Sequence, residues 1–191
     1  MDAGPPRSRG IIFTTSRAPS PRTRSLVRDL VSVIPGASRL TRGHLTLEEI
    51  AAIARTRGAD RVTIIGERRG NPSILRVYSV SPPPEPPALR NIVTILVAGV
   101  ALSRERGTAR SVKAPGLCVR AEDGLEDYAE ALILAWHARI ALRGCKGVIA
   151  HIRRAPRGSE AVLEFEYPEG RPVGPRLRIS RPSRMIKIGG D

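Results

Sequence analysis

The chain has 191 residues, 41% hydrophobic and 26% charged, the balance of a folded protein with enough length for a real core rather than a disordered one. Its 32 Lys+Arg against 18 Asp+Glu leave a formal charge of +14, and all of those cations except Lys113, Lys146 and Lys187 are arginines. That excess favours a polyanionic partner and forked contacts to phosphate, while the absence of an apolar run long enough to span a bilayer argues against a membrane protein.

Taken in chain order, Gly10 to Thr15 is a short β-rich run that reads as a buried strand. Ser20 then caps a helix with Pro21 at its first position, whose stripe is Leu26, Val27, Leu30, Val31 and Ile34 and whose stop is Pro35-Gly36. A second helix starts at Thr46, with Glu49 completing a capping box, and ends at Arg57-Gly58. Arg61 to Glu67 and Ser73 to Val80 read as a hairpin around a basic turn that contains Arg68 and Arg69. The proline-rich stretch that begins at Ser81 forms neither helix nor inner strand and is expected to be the linker between two halves.

Beyond it, Ile92 to Val97 and Leu117 to Arg120 read as strands. Asp123 with Glu126 caps a long helix, predicted over 125–143 and ending at Arg143-Gly144. Gly147 to Ile152 and Ala161 to Tyr167 form a hairpin around a turn rich in arginine (Arg153, Arg154, Arg157), and Arg176 to Ser180 is a last strand before a basic tail. Each half thus runs helix, Arg-Gly, strand, basic turn, strand, which predicts an internal repeat with the helices at 46–57 and 125–143 equivalent. The fold class is α/β (mixed α+β): two similar halves, each a small mixed sheet with packed helices. The cationic excess lies in residues 1–45, 71–120 and 171–191, and residues 121–170 are the one acidic segment.

The sequence lacks a phosphate-binding Gly-Lys-Ser/Thr loop, a His-Glu-x2-His zinc site and a nucleophile elbow. His44, His137 and His151 are scattered, and Glu164 and Glu166 alternate with apolar residues as the polar face of a strand. Cys118 and Cys145 fit no metal spacing and no disulfide framework, and read as small core residues in a reducing cytosol. The first ten residues show no secretory signal, and the chain has no Gln and only Asn71 and Asn91, a thermophile-like composition. No enzyme, metal or cofactor is expected.

The informative stretch is Thr14 to Arg24. Arg22 and Arg24 stand in the first turn of a helix, where the dipole disfavours cations. Arg17, Arg22 and Arg24 around a strand-to-helix turn make sense around a bound anion, with Ser16 and Ser20 completing the pocket. With aromatics at 3%, a ring-stacking platform has little supply, so contacts to RNA are expected to be mostly to the backbone.

Thr14-Thr15-Ser16-Arg17-x-Pro19-Ser20, then Arg42-Gly43, then Asp60-x-Val62-x4-Glu67-x-Arg69-Gly70-x-Pro72-x2-Leu75 resemble the Brix-domain proteins of ribosome biogenesis, nearest the short archaeal members. The resemblance covers most of the first half and is loose in the second. Ala18 departs from it, standing where many relatives carry an acidic residue. It implies two α/β halves, each like the anticodon-binding domain of class II aminoacyl-tRNA synthetases, and ribosomal-RNA binding during subunit assembly.

The expected organisation is a flexible stretch at 1–9, a Brix-like domain at 10–180 and a basic tail at 181–191. Within the domain the first half is 10–80, the linker 81–89 and the second half 90–180. The expected function is a non-catalytic factor that binds pre-ribosomal RNA or a pre-ribosomal particle through arginine–phosphate contacts. The expected RNA-binding residues are Ser16, Arg17, Ser20, Arg22, Arg24, Arg42, Arg68, Arg69, Arg153 and Arg154. Ribosomal or assembly proteins are further candidate partners, with no membrane and no small-molecule substrate. The expected location is the cytoplasm, or the nucleolus for a eukaryotic source. The alternative is a tRNA-interacting accessory module with an anticodon-binding-like fold.

Overall fold

A computed structural model describes residues 10–109, 114–141, 144–156 and 160–184. Strand β1 (Gly10–Thr15) is buried along nearly its whole length because helices cover both of its faces. Ile11 and Phe13 enter one core with Leu26, Leu30 and Val33 of α1 (Pro21–Val33), while Ile12 enters a second with Ile50 and Ala54 of α2 (Leu47–Thr56). Both helices begin as their sequences predict. Ser20 accepts from the Thr23 amide with Pro21 at the first position, and Thr46 and Glu49 form a reciprocal capping box.

The remaining elements are β2 (Ala37–Arg39), β3 (Ala59–Arg68), β4 (Asn71–Val80), β5 (Leu89–Ala101), α3 (Ser103–Arg106), β6 (Leu117–Ala121), α4 (Glu126–Trp136), β7 (Arg139–Ile140), β8 (Val148–Arg154), β9 (Ala161–Glu166), β10 (Pro172–Ile179) and β11 (Ser183–Arg184). They build one mixed sheet in the order β2-β1-β3-β4-β5-β10-β9-β8-β6-β7, with β11 against β5. Each side repeats one plan: two parallel pairings around its first strand, then two antiparallel ones. The sides join through antiparallel β5 and β10, with Leu177 opposite Val100. Strand directions therefore put the C-terminal ends of β1, β2 and β3 at one end of the sheet and those of β6, β7 and β8 at the other.

The repeat is real, but its helices are not the expected pair. β3 corresponds to β8, as the spacing after the Arg-Gly pairs predicts; α4 lies between β6 and β7, as α1 lies between β1 and β2. No described helix of the second half matches α2. The long helix expected over 125–143 ends at Trp136, where the indole turns into the shared core, 5.8 Å from Phe13 and donating to the Thr63 hydroxyl at 3.1 Å. His137 then takes a left-handed conformation (φ 54°) and bonds Asp60 at 2.7 Å. Leu125 rather than Asp123 precedes the first turn, without a side-chain cap. Arg143 lies outside the described residues.

The stretch at 81–89 does not link the halves. It closes the β4–β5 hairpin, with buried Ser81 bonded to both the carbonyl and the amide of Ala88's end of the loop. The polypeptide leaves the first side of the sheet after β5, at α3. Cys118 and Cys145 are bonded as a disulfide with Cα atoms 6.6 Å apart, tying β6 to the segment that leads into β8. The expectation of two core thiols is thereby corrected; β7 and β8 flank β6, so the connection between them, which carries Cys145, brings it within bonding reach of Cys118.

The two halves share one large core. It holds α1, α4 and the inner faces of both halves of the sheet, with α1 lying on β10 and α4 on β5. Gly174 (φ 63°) lets α1 come close: a Cβ there would stand 2.6 Å from a Val33 methyl carbon. The expected stretches 1–9 and the end of the 181–191 tail, with Arg157, lie outside the described residues.

Candidate nucleic-acid interface

Three segments meet at the C-terminal ends of β1, β2 and β3. The β1–α1 loop is held by the Ser16 amide, which donates to the Ile65 carbonyl at 2.9 Å. The β3–β4 turn places Arg69 and Gly70 at φ 51° and 75°, the left-handed pair of a tight hairpin turn. Ser20 Oγ donates to the Gly70 carbonyl at 2.9 Å, fixing the basic turn beside the start of α1. The β2–α2 loop is anchored by the Leu40 amide on the Phe13 carbonyl (2.9 Å) and by Arg42 Nε on the Leu45 carbonyl (2.9 Å).

Between the first and third of these segments lies a pocket of about 430 Å³. Val27 and Leu40 supply an apolar floor, and Arg17, Arg24, Arg39, Arg42 and His44 stand around it. Burial, and after it the nearby Arg17 charge, push the Arg42 pKa below its ordinary value, against the opposing effect of Tyr78. Among the described residues, no ion pair involves Arg17, Arg24, Arg39, Arg42, Arg68 or Arg69.

The amides at the start of α1 already have an anion, and it belongs to the protein. Glu67 Oε2 accepts from the Ser20 amide at 2.9 Å and from Thr23 Oγ1 at 2.6 Å. The irregularity between Gly66 and Glu67 in the β3–β4 ladder coincides with this inward turn of the carboxylate. The Thr23 hydroxyl, followed by the Ser20 amide, holds its pKa below the ordinary value, against the opposing effect of burial. The Ser20 amide and the Thr23 hydroxyl are therefore taken by Glu67 rather than open to the expected anion, and Ser20 Oγ is engaged in holding the hairpin.

Of the residues expected from sequence, Ser16, Arg17, Ser20, Arg24, Arg42, Arg68 and Arg69 come together at this end. Arg22 does not join them as a solvent-facing cation: it grips Glu105 with both terminal nitrogens (2.5 and 3.0 Å) and donates to the Val100 carbonyl. Arg153 and Arg154 end β8, at the opposite end of the sheet. Arg153 reaches Glu164, Glu166 and His151, and Arg154 bonds the Asp123 carbonyl while its amide donates to Glu122. The matching β6–α4 loop of the second half carries Glu122 and Asp123, with Glu126 opening α4, reversing the charge of the β1–α1 loop. Sequence reasoning missed Arg39, Leu40 and His44 because β2, three residues long, gives no periodic signal.

No family model matches the chain. A probable Brix domain-containing ribosomal biogenesis protein of Aeropyrum pernix is 44% identical over 181 residues, 93% of this chain and 98% of that one. The chain belongs to the Brix-domain family. Relatives of this Brix-domain chain with the same description occur in Pyrococcus horikoshii (31% over 190 residues, 88% of this chain and 82% of the relative) and Thermococcus kodakarensis (30% over 189 residues, 88% of each). The crystal structure of the probable ribosomal biogenesis protein from Aeropyrum pernix K1 matches with a TM-score of 0.80 at 44% identity, covering 94% of this chain and 99% of the other. Mil, an archaeal Imp4-like protein, shares the Brix-domain chain's fold at TM-score 0.68 and 22% identity, over 91% of this chain and 99% of that one.

Proposed function

We propose that this chain is a non-catalytic ribosome-biogenesis factor that binds pre-ribosomal RNA through the arginine end of its first half. The names of its relatives support the process, and the supply of unpaired cations at one end of the sheet supports the chemistry. The observation that carries the reading is the contrast between the two ends. Arg17, Arg39, Arg42, Arg68 and Arg69 make no ion pair among the described residues, and Arg24 makes none although its charge is felt by Glu67, whereas Arg153 and Arg154 are engaged by their own protein. Guanidinium forks on a fixed loop-and-turn scaffold suit phosphates spaced along a folded RNA. Contacts of this kind position an RNA without reading its sequence and are strongly salt-dependent.

The further likeness of each half to an anticodon-binding domain belongs to the same proposal, resting on the repeated strand order. Crosslinking the protein to RNA in its own cells, with sedimentation of the complexes, tests the reading. Crosslinks in ribosomal RNA precursors and co-sedimentation with immature subunits are expected. Recovery with free tRNA or a synthetase would replace this reading with the tRNA-accessory one.

A further inference from the structure

We infer that the pocket between the β1–α1 and β2–α2 loops seats one unstacked nucleotide of the bound RNA, its base against the apolar wall of Ala18, Pro19 and Leu40 and its phosphate on the arginine rim. This inference rests on the RNA-binding reading above and adds the form of RNA recognised.

Size and lining carry it. A phosphate group needs only a shallow cradle of donors, whereas about 430 Å³ falls within the range of sites that enclose a small organic group. Val27 is 1% exposed and Leu40 9%, so they close the bottom of the pocket against the folded interior, and the apolar surface an occupant meets is that of Ala18 and Pro19 with the accessible edge of Leu40. A nucleobase is the part of RNA that fits such a surface, because its faces are apolar while its phosphate remains charged. Duplex RNA keeps its bases stacked inside, so the occupant is a nucleotide in a bulge, loop or end.

The walls supply what the aromatic-poor composition lacks elsewhere. Bases stack on guanidinium and imidazole planes as well as on phenyl rings. Arg42, fixed by its bond to the Leu45 carbonyl, and His44 both line the pocket. The convergence of Arg17 and Arg42 leaves a positive field to be neutralised by the nucleotide's own phosphate. Because stacking and charge make no demand on the Watson–Crick edge, the pocket tolerates any base.

The test uses fluorescently labelled RNA hairpins with equal numbers of phosphates: one with a single bulged nucleotide, one with an abasic residue at the bulge. The base-bearing hairpin is expected to bind roughly tenfold tighter, the scale of one stacked base. His44→Ala is expected to shrink that advantage. Arg68→Gln with Arg69→Gln is expected to weaken both hairpins while preserving it. In parallel, uridine monophosphate and ribose 5-phosphate are titrated while the amide resonances of Thr41, Gly43 and His44 are followed. Saturable shifts with the nucleotide and much weaker ones with the sugar phosphate are expected. Equal affinity for both hairpins, or equal shifts with both small ligands, overturns the base pocket while leaving phosphate-directed RNA binding standing. Failure of both hairpins to bind, with the nucleotide still shifting the pocket amides, overturns the RNA reading instead.

Discussion

Arg22 in the first turn of α1 holds Glu105 of α3 by two hydrogen bonds, at 2.5 and 3.0 Å, and reaches the Val100 carbonyl at the end of β5. The pair ties α1 to the segment where the chain leaves the first side of the sheet. It also accounts for a cation at a position the helix dipole disfavours, because the forked carboxylate outweighs a dipole effect of a few tenths of a kcal/mol. Arg22→Gln is therefore expected to lower stability by about 1 kcal/mol, given that the pair is partly exposed. RNA affinity should be nearly unchanged. Chemical denaturation with an RNA titration checks both; a variant of unchanged stability with weakened RNA binding would return Arg22 to the interface.

Glu67 is expected to make the fold acid-sensitive. Its carboxylate pKa is depressed in the folded protein, chiefly by the Thr23 hydroxyl. The stability it contributes is accordingly complete above its ordinary value of 4.5 and is lost as pH falls through the lower, folded value. Glu67→Gln is expected to flatten part of the fall in Tm below that pH. Coincident acid limbs for the parent and the variant would show that Glu67 contributes nothing through its charge.

The union of the halves can be probed at Thr63, whose hydroxyl receives the buried Trp136 indole N–H at 3.1 Å. Thr63→Val keeps the shape and leaves that donor unpaired, at an expected cost of about 1–3 kcal/mol. Unfolding should remain one transition followed by fluorescence of the single tryptophan, since both halves contribute to one core.

The disulfide gives a second handle on stability. The cysteines are 27 residues apart, for which loop-closure entropy gives roughly 3.5 kcal/mol. Reduction, or paired replacement of Cys118 and Cys145 by Ser, is expected to destabilise on that scale. An unchanged Tm would show the bond to be energetically idle.

Much of the fold was legible wherever local signals agree with tertiary demand. The Ser20 cap, the Thr46–Glu49 box and the Arg69-Gly70 turn each depend on neighbours within a few residues, and each is where the sequence places it. Long-range preferences were not legible. The α4 pattern continues past Trp136, yet burial of that indole against Phe13 and Thr63 ends the helix. Ser81 and the prolines after it have the composition of a linker and form a hairpin loop, because β5 completes the sheet begun by β4. At the site, arginines were correctly singled out as a class, but which of them carry an internal partner depends on Glu105, Glu164 and Glu166, far away in sequence.

The central claim is that phosphate binding belongs to one end of the sheet, and RNA affinity measured across a salt series tests it most directly. The account predicts that replacing Arg17, Arg24, Arg68 and Arg69 together by Gln makes the slope of log K against log salt shallower by roughly three units, at about 0.7–0.9 per lost contact. Arg153→Gln with Arg154→Gln should leave the slope as it is in the parent. The reverse pattern, a slope unmoved by the first set and flattened by the second, would contradict it.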